Sequence, residues 1–282
     1  MGELKFKIDG PALREGVPIP VALSALGHFQ SIVDKTYLVT TSSSRMAAKD
    51  REHFYLRATE FQHGSFIAAF DIALQNVQTL LPFFSSYGAE NIWGLTKDTF
   101  SFLKTVCAAV REGKEPQYEF NNQGDVTVNV GDQHSHYHGP VYQIGRLALP
   151  AYQDLSHIIG SNKLNEISAG RRQYETRDIF LGSQDRNAFD IPTKIQKETT
   201  EIKCEVFDFN KYKNAGKLQV SQPGQDVPEG NYNFTIIENQ DSVDYIYSML
   251  KTEVALFCLV EEADSPFGGQ DIVRLHVTGV SS

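Results

Sequence analysis

The chain has 282 residues, of which 41% are hydrophobic and 22% charged, with a net charge of −9. That length is enough for two domains, or one large one, with a sizeable core, and the composition argues against a disordered chain or a membrane protein. The longest apolar runs, residues 66–74 and 77–84, are interrupted by Asp71, Gln78 and Pro82. Both fall well short of the roughly 20 residues needed to cross a bilayer. The charge is uneven: residues from 201 onward carry 13 acidic and 6 basic side chains, a balance of −7. Such a surface repels phosphate backbones, which argues against nucleic acid as a partner there.

In chain order, residues 4–8 read as a short strand, followed by a turn rich in Gly and Pro. A helix is expected from about Pro20, since proline is tolerated in a first turn. Ala22, Ala25, Leu26, Phe29, Ile32, Val33 and Tyr37 recur at three- and four-residue steps and form its apolar face. Residues 53–62 alternate and are rich in β-formers. With a turn at His63-Gly64 and a return over 65–70 they predict a hairpin. Asp71 then heads an expected helix over 72–81. A second helix is expected over 97–111, capped by Thr96, with Phe100, Leu103, Cys107 and Val110 on one face.

Residues 121–132 read as turn, strand, turn. After them Val141, Ile144, Ala148, Ala151, Leu155 and Ile158 keep a 3-4-3-4-3 spacing, the seam of a helix packed on another helix. Pro150 inside that pattern predicts a kink or break. Residues 171–194 are polar and read as a linker. Beyond it, 200–209, 217–221, 232–238, 254–260 and 272–280 read as strands. One helix interrupts them over 242–250, with Ser242 as cap and Val243, Ile246, Tyr247 and Leu250 turned inward. The expected fold class is therefore α+β. A mixed helix and hairpin domain over 1–170 is followed by a small, mostly β barrel or curled sheet over 195–282.

Cys107, Cys204 and Cys258 lie far apart, and the chain start reads as a strand rather than an apolar leader. Together these predict reduced thiols and a cytoplasmic setting. Cys107 and Cys258 fall in apolar patterns and are expected to be buried and inert.

The most conspicuous candidate for chemistry is His134-Ser135-His136-Tyr137-His138. On an extended strand His134, His136 and His138 share one face, and Asp132 joins it. Three imidazoles and a carboxylate suit a divalent transition metal. Gly131 and Gly139-Pro140 bracket the run, so a polar surface loop is the competing reading. Asp71, within an apolar run, is either a buried acid-base group or a helix cap. His63 and Ser65 on a hairpin turn point apart, and no G-x-S-x-G elbow is present, so they are not expected to act as base and nucleophile. His28, Ser31 and Asp34 read as a polar helix stripe. Arg171, Arg172, Arg177 and Arg186 form the one basic cluster, which suits a phosphate, RNA or an acidic protein. Nearby Glu175, Asp178 and Asp185 nearly balance it. The run Glu261-Glu262-Ala263-Asp264 reads as a solvated turn, since it lacks the ligand spacing of a calcium loop. Walker A, dinucleotide-binding and H-E-x-x-H patterns are absent from the sequence.

The strand ending in Lys7-Ile8-Asp9-Gly10, the hairpin carrying Gly64-Ser65-Phe66 and the small β domain that follows make a recognisable layout. It resembles that of uncharacterised bacterial and mobile-element two-domain proteins, some encoded near antiviral defence genes. The resemblance implies a setting in a defence-related complex and carries over no catalytic residue. The leading expectation is a non-enzymatic binding or assembly subunit with a protein partner or as a homo-oligomer. The alternatives are a metal-dependent hydrolase built on His134, His136 and His138, and RNA or nucleotide binding through 171–186.

Overall fold

A computed structural model describes residues 3–13, 16, 18–62, 66–74, 89–122, 124–160, 164–172, 176–222, 227–237 and 240–280. The chain divides into two compact units, Met1–Asp190 and Ile191–Ser282.

The first unit opens with β1 (Leu4–Asp9), then α1 (Ile19–Thr40), α2 (Ala48–His53), β2 (Phe54–Gln62), β3 (Phe66–Leu74) and α3 (Ala89–Arg111). A three-stranded meander follows: β4 (Gln117–Phe120), β5 (Val126–Val130) and β6 (Gln133–Tyr137). The unit closes with α4 (Val141–His157), β7 (Glu166–Arg171) and β8 (Ile179–Gly182). Five strands form an antiparallel sheet in the order β2-β3-β1-β7-β8.

Alternation along β1 sets the two faces of that sheet. Leu4, Phe6 and Ile8 are buried, while Lys5 and Lys7 turn the other way. Phe6 meets Phe29 of α1 at 4.7 Å between ring centroids, and Phe29 meets Trp93 of α3 at 6.3 Å. This chain of aromatics ties sheet to helix to helix, and each ring buries a large apolar area. The Trp93 indole N–H donates to Asp178 Oδ2 at 2.8 Å, so its one polar atom is satisfied. The opposite face of the sheet is lined with ion pairs. Arg172 bridges Glu3 (2.7 Å) and Glu60 (2.8 Å), and Arg177 approaches Glu166 at 3.5 Å.

The seam on α4 is buried within this unit, against α1 and α3. Tyr152 sits at its centre, fully buried, with its hydroxyl donating to the Thr96 carbonyl at 3.0 Å. Helix α4 continues through Pro150 without the expected break. The reason is placement: Pro150 is exposed, so the hydrogen bond it cannot donate falls on the solvent side.

The second unit contains β9 (Thr193–Ile195), β10 (Thr200–Asn210), β11 (Ala215–Gln222), β12 (Gly230–Ile236), α5 (Ser242–Ser248), β13 (Val254–Asp264) and β14 (Gln270–Val280). Strands pair in the order β10-β11-β12-β14-β13, and β13 pairs back onto β10. This closes a five-stranded barrel, antiparallel except where β12 runs parallel to β14. Closure removes the exposed edges that a curled sheet would leave. Cys204, Val206, Leu218, Phe234, Leu256, Cys258 and Leu275 fill its interior. Gly216 is required where β10 bulges, because a Cβ there would lie 2.1 Å from the Asp208 carbonyl oxygen.

The α+β class and the small barrel stand as expected, and several details do not. Asp71 heads no helix: β3 continues to Leu74, so Asp71 is a strand residue opposite Arg57 of β2. An apolar run rich in β-formers extends a strand as readily as it starts a helix. The rest of the expected helix lies outside the described residues, as does the turn at His63-Gly64. Thr96 caps nothing, because α3 starts at Ala89 and Thr96 lies inside it, fully buried. Its hydroxyl meets Thr36 of α1 at 3.0 Å. Most of the 171–194 segment is part of the first unit: it supplies β8 and a short 3-10 turn, and the division falls after Asp190.

Candidate functional site

The histidine run lies on β6 and just beyond it, in antiparallel register with β5. The two strands meet at a turn containing Gly131 and Asp132. Register pairs Thr127 with His136 and Asn129 with His134. Val126 and Val128 are buried, so the histidines occupy the outer face with Thr127 and Asn129. Tyr137 turns inward to α3, where its hydroxyl meets Thr105 at 2.9 Å.

On the outer face three side chains converge: Asp125, His136 and His138, with one donor atom from each lying within 4.8 Å of the others. Asp125 Oδ2 is 3.4 Å from His138 Nδ1 and 3.8 Å from His136 Nε2. The two imidazoles stand edge to face, 4.7 Å between centroids. Asp125 is held firmly. Its Oδ1 accepts the Gly139 N–H at 2.6 Å, and Oδ2 accepts the Asn121 amide at 2.9 Å. The Gly139 N–H and then the Asn121 amide hold its carboxyl below the usual aspartate range, with His138 adding less. Gly139 has φ +73°, and a Cβ there would lie 2.9 Å from Leu95 Cδ2. That conformation favours glycine and aims the N–H at Asp125.

His134 and Asp132 do not join this group. His134 Nδ1 pairs with Asn129 Oδ1 at 2.6 Å. Asp132 lies in the turn, six residues from His138, which is about 20 Å along an extended chain. Alternation along one strand puts all four residues on one face but spreads them over its length. The nearer ligand is the one opposite His138 across the hairpin, Asp125. The signal for it was available: a turn at Gly131-Asp132 fixes the pairs across an antiparallel hairpin.

Other candidates are dispersed. Asp71 is one-third exposed and 3.5 Å from Arg57. His63 and Ser65 lie outside the described residues. Asp34 is not part of a solvated stripe: it is buried in α1, accepts from Gln30 Nε2 at 2.7 Å and pairs two-pronged with Arg51 of α2. The three cysteines are buried and free. Burial pushes the thiols of Cys107 and Cys204 up to about 12 and that of Cys258 to about 11, which leaves them un-ionised and inert. Of the arginines, Arg172 and Arg177 face carboxylates of the sheet, and Arg186 lies beside Gly160. The acidic run is strand rather than turn. Glu261 accepts from Thr193 (2.7 Å) and meets His276 (2.8 Å), and Asp264 meets Lys194 (3.3 Å).

Sequence reasoning also reversed the face of α5. Tyr245 and Ser248 point into the barrel. Tyr245 packs on Phe209 (5.6 Å) and Phe234 (6.2 Å), and its hydroxyl bonds to Gln240. The stripe expected inside is outside. Val243, Ile246 and Met249 are exposed, Tyr247 is 61% exposed and Leu250 81%. Asp241, Asp244 and Glu253 flank it, all exposed, with Lys251 the one cation among these neighbours.

None of the described helices is long and apolar enough to cross a membrane. Compared with protein-family models, curated proteins and solved structures, the chain matches none.

Proposed function

We propose that the chain is a non-enzymatic binding or assembly subunit that docks a protein partner on the outward stripe of α5. The observation that carries this is the stripe itself: Val243, Ile246 and Tyr247 on α5, and Leu250 in the turn that follows it, keep a helical spacing yet lie in solvent. Such a row costs solubility unless something covers it. The carboxylates beside it favour a partner that brings apolar side chains flanked by lysine or arginine. A second copy would bring the same carboxylates and is disfavoured on that ground. The seam on α4 gives this reading no support, because it is covered within the first unit. The setting in a defence-related complex rests on the resemblance alone.

The test compares capture by wild-type chain and by Leu250→Glu under native conditions. A partner lost with Leu250→Glu, released by salt and carrying a basic apolar segment supports the reading. Identical capture by both chains, or a homodimer broken by the substitution, overturns it. A hydrolase reading is set aside for a physical reason. The Asp125 group lies on the outer face of a sheet, and hydrolysis gains most in a site that excludes water.

One observation, local to a single loop and set against the net negative charge of this unit, favours a second reading. Tyr212, 87% exposed, tips the β10–β11 loop with Lys211 Nζ 5.2 Å from its ring centre and Lys213 beside it. Asn210 Oδ1 accepts from the Tyr212 and Lys213 backbone N–H groups at 3.0 and 3.2 Å, which fixes the loop. Five-stranded barrels of the OB type hold single strands on such loops, by stacking and cation contacts. Single-stranded oligonucleotide binding that falls with salt and is lost in Tyr212→Ala would establish it. No binding at low salt would dismiss it.

A further inference from the structure

We propose that Asp125, His136 and His138 bind one divalent transition-metal ion of the zinc class, through Asp125 Oδ2, His136 Nε2 and His138 Nδ1, with water completing the coordination. This does not depend on the α5 reading; it concerns the other unit and a different chemistry.

The first argument is spacing. Ligands about 2.0–2.1 Å from a tetrahedral ion stand about 3.3 Å from one another. The carboxylate oxygen lies 3.4 and 3.8 Å from the two imidazole nitrogens. A strong charge-assisted hydrogen bond would draw such pairs to about 2.7–2.9 Å. The carboxylate–imidazole spacings are therefore close to the width that such an ion needs.

The second argument is orientation. His136 Nδ1 pairs with Thr127 Oγ1 at 3.0 Å, directly across the hairpin. If that nitrogen carries the proton, the lone pair on Nε2 is left facing Asp125, the outer-shell arrangement of metal-binding histidines. Asp125 is fixed by the Gly139 N–H and the Asn121 amide, which leaves Oδ2 with capacity for a cation. Its side chain is only 13% exposed, while that of His138 is 79% exposed. The carboxylate and His136 thus form a set base, and His138 closes over it from solvent.

The third argument is donor type. Two imidazoles and one carboxylate suit zinc, cobalt, nickel or copper, whereas calcium and magnesium prefer oxygen donors throughout. The ion would join three points of the chain: the turn before β5, the C-terminal end of β6 and the entry to α4. Those points are already fixed by register and by Gly139, so little ordering is needed on binding.

The test uses full-length, tag-free protein stripped with chelator and dialysed into metal-free buffer. Zinc is titrated calorimetrically, and cobalt(II) is followed by its visible absorption. The expected result is one saturable ion per chain and a cobalt spectrum with nitrogen and oxygen donors. His138→Gln should abolish both, and its exposure makes it safe for folding. Thr127→Val should weaken zinc binding about tenfold. His134→Ala should leave binding unchanged, because His134 faces Asn129. Absence of saturable binding would overturn the proposal. So would a loss in His134→Ala equal to that in His138→Gln, which would mark diffuse attraction to surface histidines.

Discussion

Helices α4 and α5 carry the same kind of apolar spacing and put it to opposite use. On α4 the stripe from Val141 to Leu155 is buried against α1 and α3. On α5 the stripe from Val243 through Tyr247 faces water, while Tyr245 and Ser248 face the barrel. Periodicity shows that a helix has an apolar face. It does not show what covers that face. In α5 the decision is made by one residue. Tyr245 packs at a tilt against the Phe209 and Phe234 rings and satisfies its hydroxyl at Gln240, and turning it inward turns the stripe outward.

The sharpest way to break this contrast is to substitute the centre of each stripe. Tyr152→Ala removes a fully buried ring packed on Phe100 and Phe189. It should cost about 3–5 kcal/mol, read by urea unfolding. A cost under about 1 kcal/mol would mean the α4 seam is not a core.

A smaller effect is expected at the edge of the same unit. Asp34→Ala removes the carboxylate to which Arg51 and the Gln30 amide N–H donate, while Gln30 Oε1 keeps the Leu56 N–H. Because Arg51 is partly exposed, the loss should be about 1–3 kcal/mol rather than that of a fully buried pair.

Acid provides a third comparison. The Thr193 hydroxyl, and then His276, hold Glu261 below the usual range, and Thr59 and then Arg172 do the same for Glu3. Depressed carboxyls stabilise the fold above their unfolded value of about 4 and lose that contribution as pH falls through the folded value. Thermal midpoints should therefore drop on acidification below about pH 4. Glu261→Gln should flatten that drop, and an unchanged acid profile would contradict the assignment.

The smallest effect is expected at α5. Leu250→Glu should change stability by no more than about 0.5 kcal/mol, because Leu250 packs on little. A large loss would mean that the stripe supports the fold rather than a partner.

Much of this architecture was legible in the sequence. The five barrel strands follow from alternation and from turns rich in Gly, Pro and Asn, and α1 follows from its apolar steps. What was hidden depended on contacts distant in sequence. Asp71 read as a cap because the strand pairing that makes it a neighbour of Arg57 is invisible along the chain. Residues 171–194 read as a linker because β8 has only four residues and needs β7 beside it. The candidate metal-binding group was half legible: His136 and His138 stood out, while Asp125 enters through hairpin register in place of Asp132.

The central claim, that the α5 stripe is a docking surface, is tested most directly by placing a photoreactive benzoyl-phenylalanine at Tyr247 and irradiating the native complex. The expected result is a single cross-linked protein whose contact segment is apolar and basic, absent when Leu250→Glu is present. Cross-links confined to this chain, whether within it or to a second copy, would contradict the claim.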